Sequence, residues 1–534
     1  VDATQALWLL AVPVTAVGVA AAARRTRVPA PLALVVAGLL AAMVPGTPAF
    51  ELDPEFVLFV FLPPLLFSAA WESSLPNLRE NGRTIAYLSV GLVLFTALAV
   101  GYAAHLIVPG LPLPAAFVLG AIVAPPDAVA AVSVAKRLGL PRRVVTVLVG
   151  ESLFNDATAL TAYRIAVVAV GGAGVSLLDG GWRFLYAALG GALIGLVAGP
   201  PLHRLRTRLR DPLVENSVAV LAPFAAYLVA EAVHASGVIA VVVSGLYLGH
   251  RFTDSPPVTR LIGRSFWKVM IFILESVVFL LIGLQLPAVL AGVSGWHPLT
   301  LAWWAAAVFG VVVAARFLWV FATAPVPALL SRRGGANGRR LEWRQLTVIS
   351  WAGMRGVVSL AAAFAIPLST ASGAAFPQRD LISFLTFTTV LGTLLLQGAT
   401  FPALIRRLGI GGSQEQHADA VAEAGAQHAA GSAALARLET LAAAEGERLD
   451  GQVVERLRDL AEYRRLSAWE RLGGGTGPGG AEVPTATYRR LRRQMLAAER
   501  EVFVRMRDER RIDDEVLDRV LNELDLEEVA LSRD

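Results

Sequence analysis

The chain has 534 residues, 55% of them apolar, a net charge of +5 and no cysteine. The apolar share is concentrated before residue 410 in repeated runs, which excludes an ordinary soluble domain. The missing cysteine excludes disulfides, thiol catalysis and Cys-based metal sites, and basic residues confined to loops leave no nucleic-acid partner to expect.

The first apolar run, 5–23, follows Asp2 and precedes Arg24 and Arg25, so it reads as a retained span rather than a cleaved leader. Further runs lie near 28–44, 54–70, 84–108, 112–135, 144–170, 183–203, 213–232, 235–250, 264–289, 299–325, 344–369 and 381–405. Each approaches the ~20 residues that cross a bilayer, so the chain is expected to be an all-α polytopic membrane protein with about thirteen spans. Lys and Arg then set the orientation. One set of alternate loops holds Arg24, Arg25 and Arg27, Arg79 and Arg83, Lys136 and Arg137, and Arg332, Arg333, Arg339 and Arg340, whereas the opposite set holds Arg183 and Arg379. An outside N-terminus and a cytoplasmic C-terminus are the expectation.

The fifth span runs into Pro125-Pro126-Asp127. Two consecutive prolines cannot continue a helix, so it is expected to unwind there and expose carbonyls and half-helix ends. Asp127 is then expected beside the N-terminus of the second half, where the helix dipole favours an anion.

The sixth span carries Glu151, Ser152, Asn155 and Asp156 in an apolar setting. Acids at bilayer depth are costly and mark functional sites. At ~100° per residue, Ser152 and Asp156 share one face and Glu151 and Asn155 an adjoining one. A carboxylate, a hydroxyl and an amide carbonyl suit a weakly bound alkali cation, and no His or Cys is available at this position to suit zinc or copper.

The twelfth span contains Gly353-Met354-Arg355-Gly356, two glycines and an arginine in an apolar run. An arginine at this depth needs an acid, and Glu151 is the expected partner, which leaves Asp156 free to titrate. The fifth and twelfth spans are interrupted at corresponding places if spans 1–6 and 8–13 are inverted halves, an arrangement that points to a transporter's binding site. Among the remaining charges, Arg164 is expected to brace the bundle of Asp156 or to snorkel. Glu275 and Arg316 are expected to pair with each other, Glu231 and His234 to face an interface or water, and His105 to be a packing residue.

Residues 411–534 are polar, with helix-compatible stretches at 415–472, 485–509 and 512–528 and a flexible glycine-rich linker at 473–480. The last stretch places Val516, Leu517, Val520, Leu521 and Leu524 on an apolar face that needs a partner.

Gly150 to Asp156 resembles the Asn-Asp signature of the monovalent cation:proton antiporter 1 family, which includes NhaP-type antiporters and animal sodium/proton exchangers. Trp351 to Gly356 is similar to the arginine-bearing segment of that family, and Ala124 to Asp127 to its unwound-helix motif. The resemblance covers about residues 5–410 and implies an NhaA/NhaP-like antiporter fold. It implies a core bundle of spans 4–6 and 11–13 and a dimer domain of spans 1–3 and 7–10 within residues 1–410, and a homodimer in the plasma membrane. The implied activity is secondary active exchange of sodium or lithium for protons in pH and sodium homeostasis, with no cofactor and no enzymatic reaction. Asp156 would bind proton or cation, Asn155, Ser152 and Asp127 would line or support the site, and Glu151 would pair with Arg355. Pro126 stands where some members have a threonine ligand. The Asn-Asp pair is associated with electroneutral exchange by alternating access. A potassium/proton antiporter is the near alternative and an intramembrane aspartyl protease, using Asp127 and Asp156, the distant one.

Overall fold

In a computed structural model of the protein, the described residues are 3–26, 30–44, 54–127, 131–132, 134–135, 138–172, 177–209, 211–324, 341–370, 373–411, 413–445, 449–472 and 483–531. The chain forms two compact units, Val1–Gly411 and Gly412–Asp534.

The first unit is built of helices joined by short non-helical segments. It comprises α1 (Ala3–Thr26), α2 (Ala30–Ala42), α3 (Pro54–Trp71), α4 (Leu75–Glu80), α5 (Gly82–Ile107), α6 (Leu113–Val123), α7 (Arg142–Val170), α8 (Leu177–Leu209), α9 (Pro212–Ala232) and α10 (Gly237–His250). It continues through α11 (Pro257–Gly292), α12 (Pro298–Thr323), α13 (Trp343–Trp351), α14 (Val357–Phe364) and α15 (Arg379–Leu408). Every apolar run read from the sequence contains a helix. Among the described residues, seven helices are long and apolar enough to cross a membrane, by length and composition.

Local chemistry starts several of them. Asp211 accepts hydrogen bonds from the Leu213 and Val214 amides at the head of α9, with Pro212 at its first position. Ser236 accepts from the Ile239 amide at the head of α10. Small residues then let helices approach: at Gly38 of α2 and Gly283 of α11, a Cβ would strike the backbone of the other helix. That close contact supplies dispersion where lipid offers no hydrophobic drive for helix association.

Two groupings of contacts organise the unit. Helix α7 packs against α5, α6 and α13, and α15 packs against α6, α12 and α14. On the other side, α3, α8 and α9 gather around α10, and α2 lies along α11.

The fifth and twelfth runs are interrupted where the sequence reading expected: α6 stops at Val123, and α13 and α14 are separated by Ala352–Gly356. The structure departs from that reading in two places. A short helical turn, α4, precedes the fourth span. The stretch 415–472 is two helices, not one.

That last difference belongs to the second unit, made of α16 (Ser413–Glu445), α17 (Gly451–Leu472), α18 (Pro484–Asp508) and α19 (Asp514–Leu531). Asp450 accepts from the Gln452 amide and starts α17 afresh. Gly431 of α16 lies against Arg465 of α17, so the two helices pack together. The partner for the apolar face of α19 is α18: Leu517 and Leu524 are buried, as is Leu496. Two arginines clamp this pair from outside. Arg492 reaches both oxygens of Glu527 at 2.6 and 2.7 Å, and Arg500 reaches Asp525 and Glu528 at 2.7 and 2.6 Å. The glycine-rich linker at 473–480 lies outside the described residues.

The hydrogen bonds from Arg492 hold the Glu527 carboxyl below its ordinary range. A depressed carboxylate adds stability above its unfolded pKa and loses it as pH falls through the lower folded value. Hydrogen exchange across 484–531 in the full chain, corrected for intrinsic rates, is therefore expected to hold constant protection near neutrality and lose it on acidification. Arg492→Ala is expected to cost about 1 kcal/mol or less at neutral pH, because the pair is half-exposed and screened, and to flatten the acid-side loss.

Candidate ion site at two facing helix breaks

Both interruptions leave main-chain groups without their helical partners, and each break satisfies the other. The Asp127 amide donates to the Met354 carbonyl at 2.6 Å, which joins the break after α6 to the break between α13 and α14. Arg355 then serves both sides. Its Nε donates to the Val123 carbonyl, the end of α6, at 3.0 Å, and Nη1 donates to the Gly353 carbonyl. The Arg355 amide donates to Thr393 Oγ1 at 3.0 Å, in a π-helical segment of α15, Thr393–Gln397. A π segment shifts the register of its helix and is often found at functional sites.

These bonds correct one expectation. Glu151 is not the hydrogen-bonded partner of Arg355; it pairs with Arg316 of α12. Arg316 Nη1 and Nη2 reach Glu151 Oε1 and Oε2 at 2.5 and 2.8 Å, with both side chains almost completely buried. The same guanidinium donates twice more to the Ile349 carbonyl near the end of α13, at 3.1 and 3.0 Å. The planar fork matches a carboxylate with two parallel bonds. Arg355 is already occupied by carbonyls that the breaks release, a demand that a continuous helix would not make. The expected Glu275–Arg316 pair is absent for the same reason, since Arg316 is committed to Glu151.

Two glycines make room. A Cβ at Gly353 would meet the Arg316 stem, and one at Gly356 would occupy the space of the Asp127 carboxylate. Asp127 therefore sits against Gly356, the residue that caps the N-terminus of α14, where partial positive charge favours an anion. The helix end used is that of the opposite break; residues 128–130, which follow Asp127, lie outside the described residues.

On α7, Asn155 and Asp156 are both buried. Asn155 Nδ2 donates to the Pro126 carbonyl at 2.6 Å. A carbonyl can only accept, so this bond orients the amide and turns Oδ1 away. Asn155 Oδ1 is buried and has no hydrogen-bond partner among the described residues. Ser152 lies one turn before Asp156 and is half-buried. The sequence-selected residues thus gather around the two breaks: Pro125, Pro126 and Asp127 on one, Gly353, Arg355 and Gly356 on the other, and α7 beside them.

Sequence reasoning gave Arg316 the wrong acid and missed Thr393. Arg316 carried the signal of a lone arginine in an apolar run, but choosing its acid required the fold. Thr393 carried none. Arg164 pairs at 3.0 Å with Glu231 of α9 and ties α7 to that helix. His105 Nδ1 lies 2.7 Å from the Leu111 carbonyl.

The donor set is all oxygen, and among the described residues no group of three His, Cys, Asp or Glu side chains is placed to hold a resident metal. Such a site suits a transient alkali cation.

The family described as sodium/hydrogen exchanger, transmembrane, matches residues 12–407. The chain is 37% identical over 515 residues to a Na(+)/H(+) exchanger of Mycobacterium tuberculosis, covering 95% of this chain and 92% of that protein. It is 32% identical over 388 residues to a sodium, potassium, lithium and rubidium/H(+) antiporter of Bacillus subtilis, covering 71% and 58%. Its fold is similar to a solved sodium proton antiporter of Methanocaldococcus jannaschii, with TM-score 0.57 and 18% identity, covering 76% of this chain and 99% of that one. The chain belongs to the sodium/hydrogen exchanger family.

Removing one partner of the Glu151–Arg316 pair strands a buried charge, at a cost of about 3–5 kcal/mol. Arg316→Met and Glu151→Met are each expected to lower the thermal midpoint of the detergent-solubilised protein sharply. The double substitution is expected to recover most of the loss; additive losses would show that the two side chains act separately. Arg355→Ala is expected to destabilise whatever occupies position 151, because it orphans the Val123 and Gly353 carbonyls.

Proposed function

We propose that this sodium/hydrogen exchanger carries either one sodium ion or one proton at a time on Asp156. The observation that carries this reading is the Asn155 amide. Its nitrogen is committed to Pro126, and its oxygen is buried without a partner beside a buried carboxylate. An unpaired buried acceptor is costly unless something visits it. A dehydrated alkali cation, held by Asn155 Oδ1, the Asp156 carboxylate and Ser152, supplies that partner.

Coupling follows from charge. With a proton or a cation aboard, Asp156 is close to neutral; empty, it is a buried anion that is expensive to move through apolar surroundings. Empty return is suppressed, and the two fluxes exchange one for one without net charge. Asp127, held against the end of α14, supports the site and adds negative potential without needing to titrate.

Motion is assigned to α5–α7 with α12–α15 as the core, working against α1–α3 and α8–α11 as the dimer domain of a homodimer. The packing of α7 on α5 and α6, and of α10 on α3, α8 and α9, supports this division, with α7, α14 and α15 reaching across it to α3, α8, α10 and α11. Rocking of one bundle around a fixed site is the usual form of alternating access in folds with interrupted helices. The alternation of Lys and Arg in the loops supports a plasma-membrane protein with its N-terminus outside.

Sodium and lithium are the assigned cations, and potassium is the necessary control, since the Bacillus subtilis relative is named for all three. In proteoliposomes with a pH-sensitive dye, sodium or lithium is expected to drive proton flux that does not change when membrane potential is clamped. Asp156→Asn is expected to abolish it, a loss of at least about a hundredfold for a group essential to transport. Substantial exchange by this variant overturns the assignment.

A further inference from the structure

An ion pair crosses the boundary between the two groupings of helices. Arg164 Nη2 of α7 donates to Glu231 Oε2 of α9 at 3.0 Å, with the side chains 56% and 28% exposed. The other oxygen of Glu231 accepts from the Gly237 amide at the head of α10, at 3.4 Å. The acid is thereby fixed to the corner between α9 and α10, and the arginine reaches to it from α7.

The helix order places this pair at one end of the unit. Arg164 lies near the C-terminus of α7, and Glu231 is the last residue but one of α9. Short connections make α9, α10 and α11 antiparallel neighbours, so α11 also ends on this side. There Gly292, the last residue of α11, lies against Asp380 at the start of α15. Both contacts join a core helix to a dimer-domain helix, and both lie at the same end.

The pair also stands above the exchange site on one helix face. Arg164 follows Asp156 by two turns, ~12 Å along α7. Seven residues before it, and so on the same face, is Ala157. Ala157 and Leu153 are buried in one apolar cluster with Leu66 of α3, Ala226 of α9 and Val241 of α10. From the level of Asp156 to this end, α7 is sealed against the dimer domain by apolar packing, and the ion pair lies beyond that seal. Its strength suits a contact that must part in each cycle. An exposed pair shifts an equilibrium by about two- to fivefold, whereas a buried one such as Glu151–Arg316 is too costly to open.

We infer that Arg164 and Glu231 are positioning residues of the exchange: their ion pair closes this end of the boundary in one half of the cycle and parts in the other. The inference rests on exchange at Asp156 by alternating access. On the orientation proposed above, the end they close is the outer one.

The test uses the full chain in proteoliposomes. Thr161→Cys adds a single thiol to a cysteine-free sequence, one turn before Arg164 on the same face. Its labelling by a membrane-impermeant maleimide is expected to quicken about threefold with Arg164→Ala or Glu231→Ala, the range an exposed pair can supply. Exchanging the charges, Arg164→Glu with Glu231→Arg, is expected to bring labelling back toward the parent. Arg164→Cys with Glu231→Cys, joined by a short bis-thiosulfonate cross-linker, is expected to lose at least about tenfold of sodium-driven proton flux and to regain it on reduction, because an end that cannot open limits turnover. A pair that only braces the fold would lower the thermal midpoint of the alanine variants and leave labelling unchanged. Unchanged labelling, or cross-linked protein that exchanges at the parent's rate, overturns the inference. Asp156→Asn run alongside separates the two claims: its residual flux condemns the exchange-site assignment, whereas labelling at position 161 reads the opening without any transport.

Discussion

A helix that stops inside a bilayer exposes main-chain groups that no solvent can satisfy, and this constraint shapes the whole transport unit. Each lost bond costs several kcal/mol in hydrocarbon. Here the breaks after Val123 and at Ala352–Gly356 repair one another through the Asp127 amide, the Met354 carbonyl and the Arg355 guanidinium. Once the breaks must face each other, the rest follows. Asp127 is brought to the end of α14, Pro126 presents its carbonyl to Asn155, and α7 must lie alongside. The site is the by-product of a repair.

The same logic divides the acids. Glu151 is neutralised by a two-pronged arginine that also closes the end of α13, so it ties α7, α12 and α13 together. Asp127 is steadied by a helix end. Asp156 is buried on the same helix as Asn155, whose amide oxygen has no hydrogen-bond partner among the described residues. Structural charges are saturated with partners, whereas the proposed exchange site keeps an uncommitted acceptor.

Much of this was legible in the residues. Hydropathy and loop charge marked the helices, consecutive prolines and paired glycines marked the breaks, and Asn155-Asp156 in an apolar run marked the candidate site. What was not legible was which arginine meets which acid. Arg316 and Arg355 look alike in sequence, both single bases in apolar runs. The choice depends on carbonyls that exist as acceptors only after the helices unwind. Thr393 was invisible because a threonine in a membrane helix usually bonds its own preceding turn, as this one does to Val390, and its second role comes from the π segment. In the tail, the helix pairing of α18 and α19 was readable from the apolar face, whereas the restart at Asp450 was concealed within a long run of good helix formers.

Competition at a single carboxylate is the claim on which the rest depends. The direct measurement is equilibrium binding of sodium to the purified protein across a range of pH. If proton and cation share Asp156, the apparent Kd rises tenfold for each pH unit of acidification on the acid side of the transition, and binding of one sodium releases one proton. A Kd that is independent of pH, or sodium binding without proton release, contradicts the account.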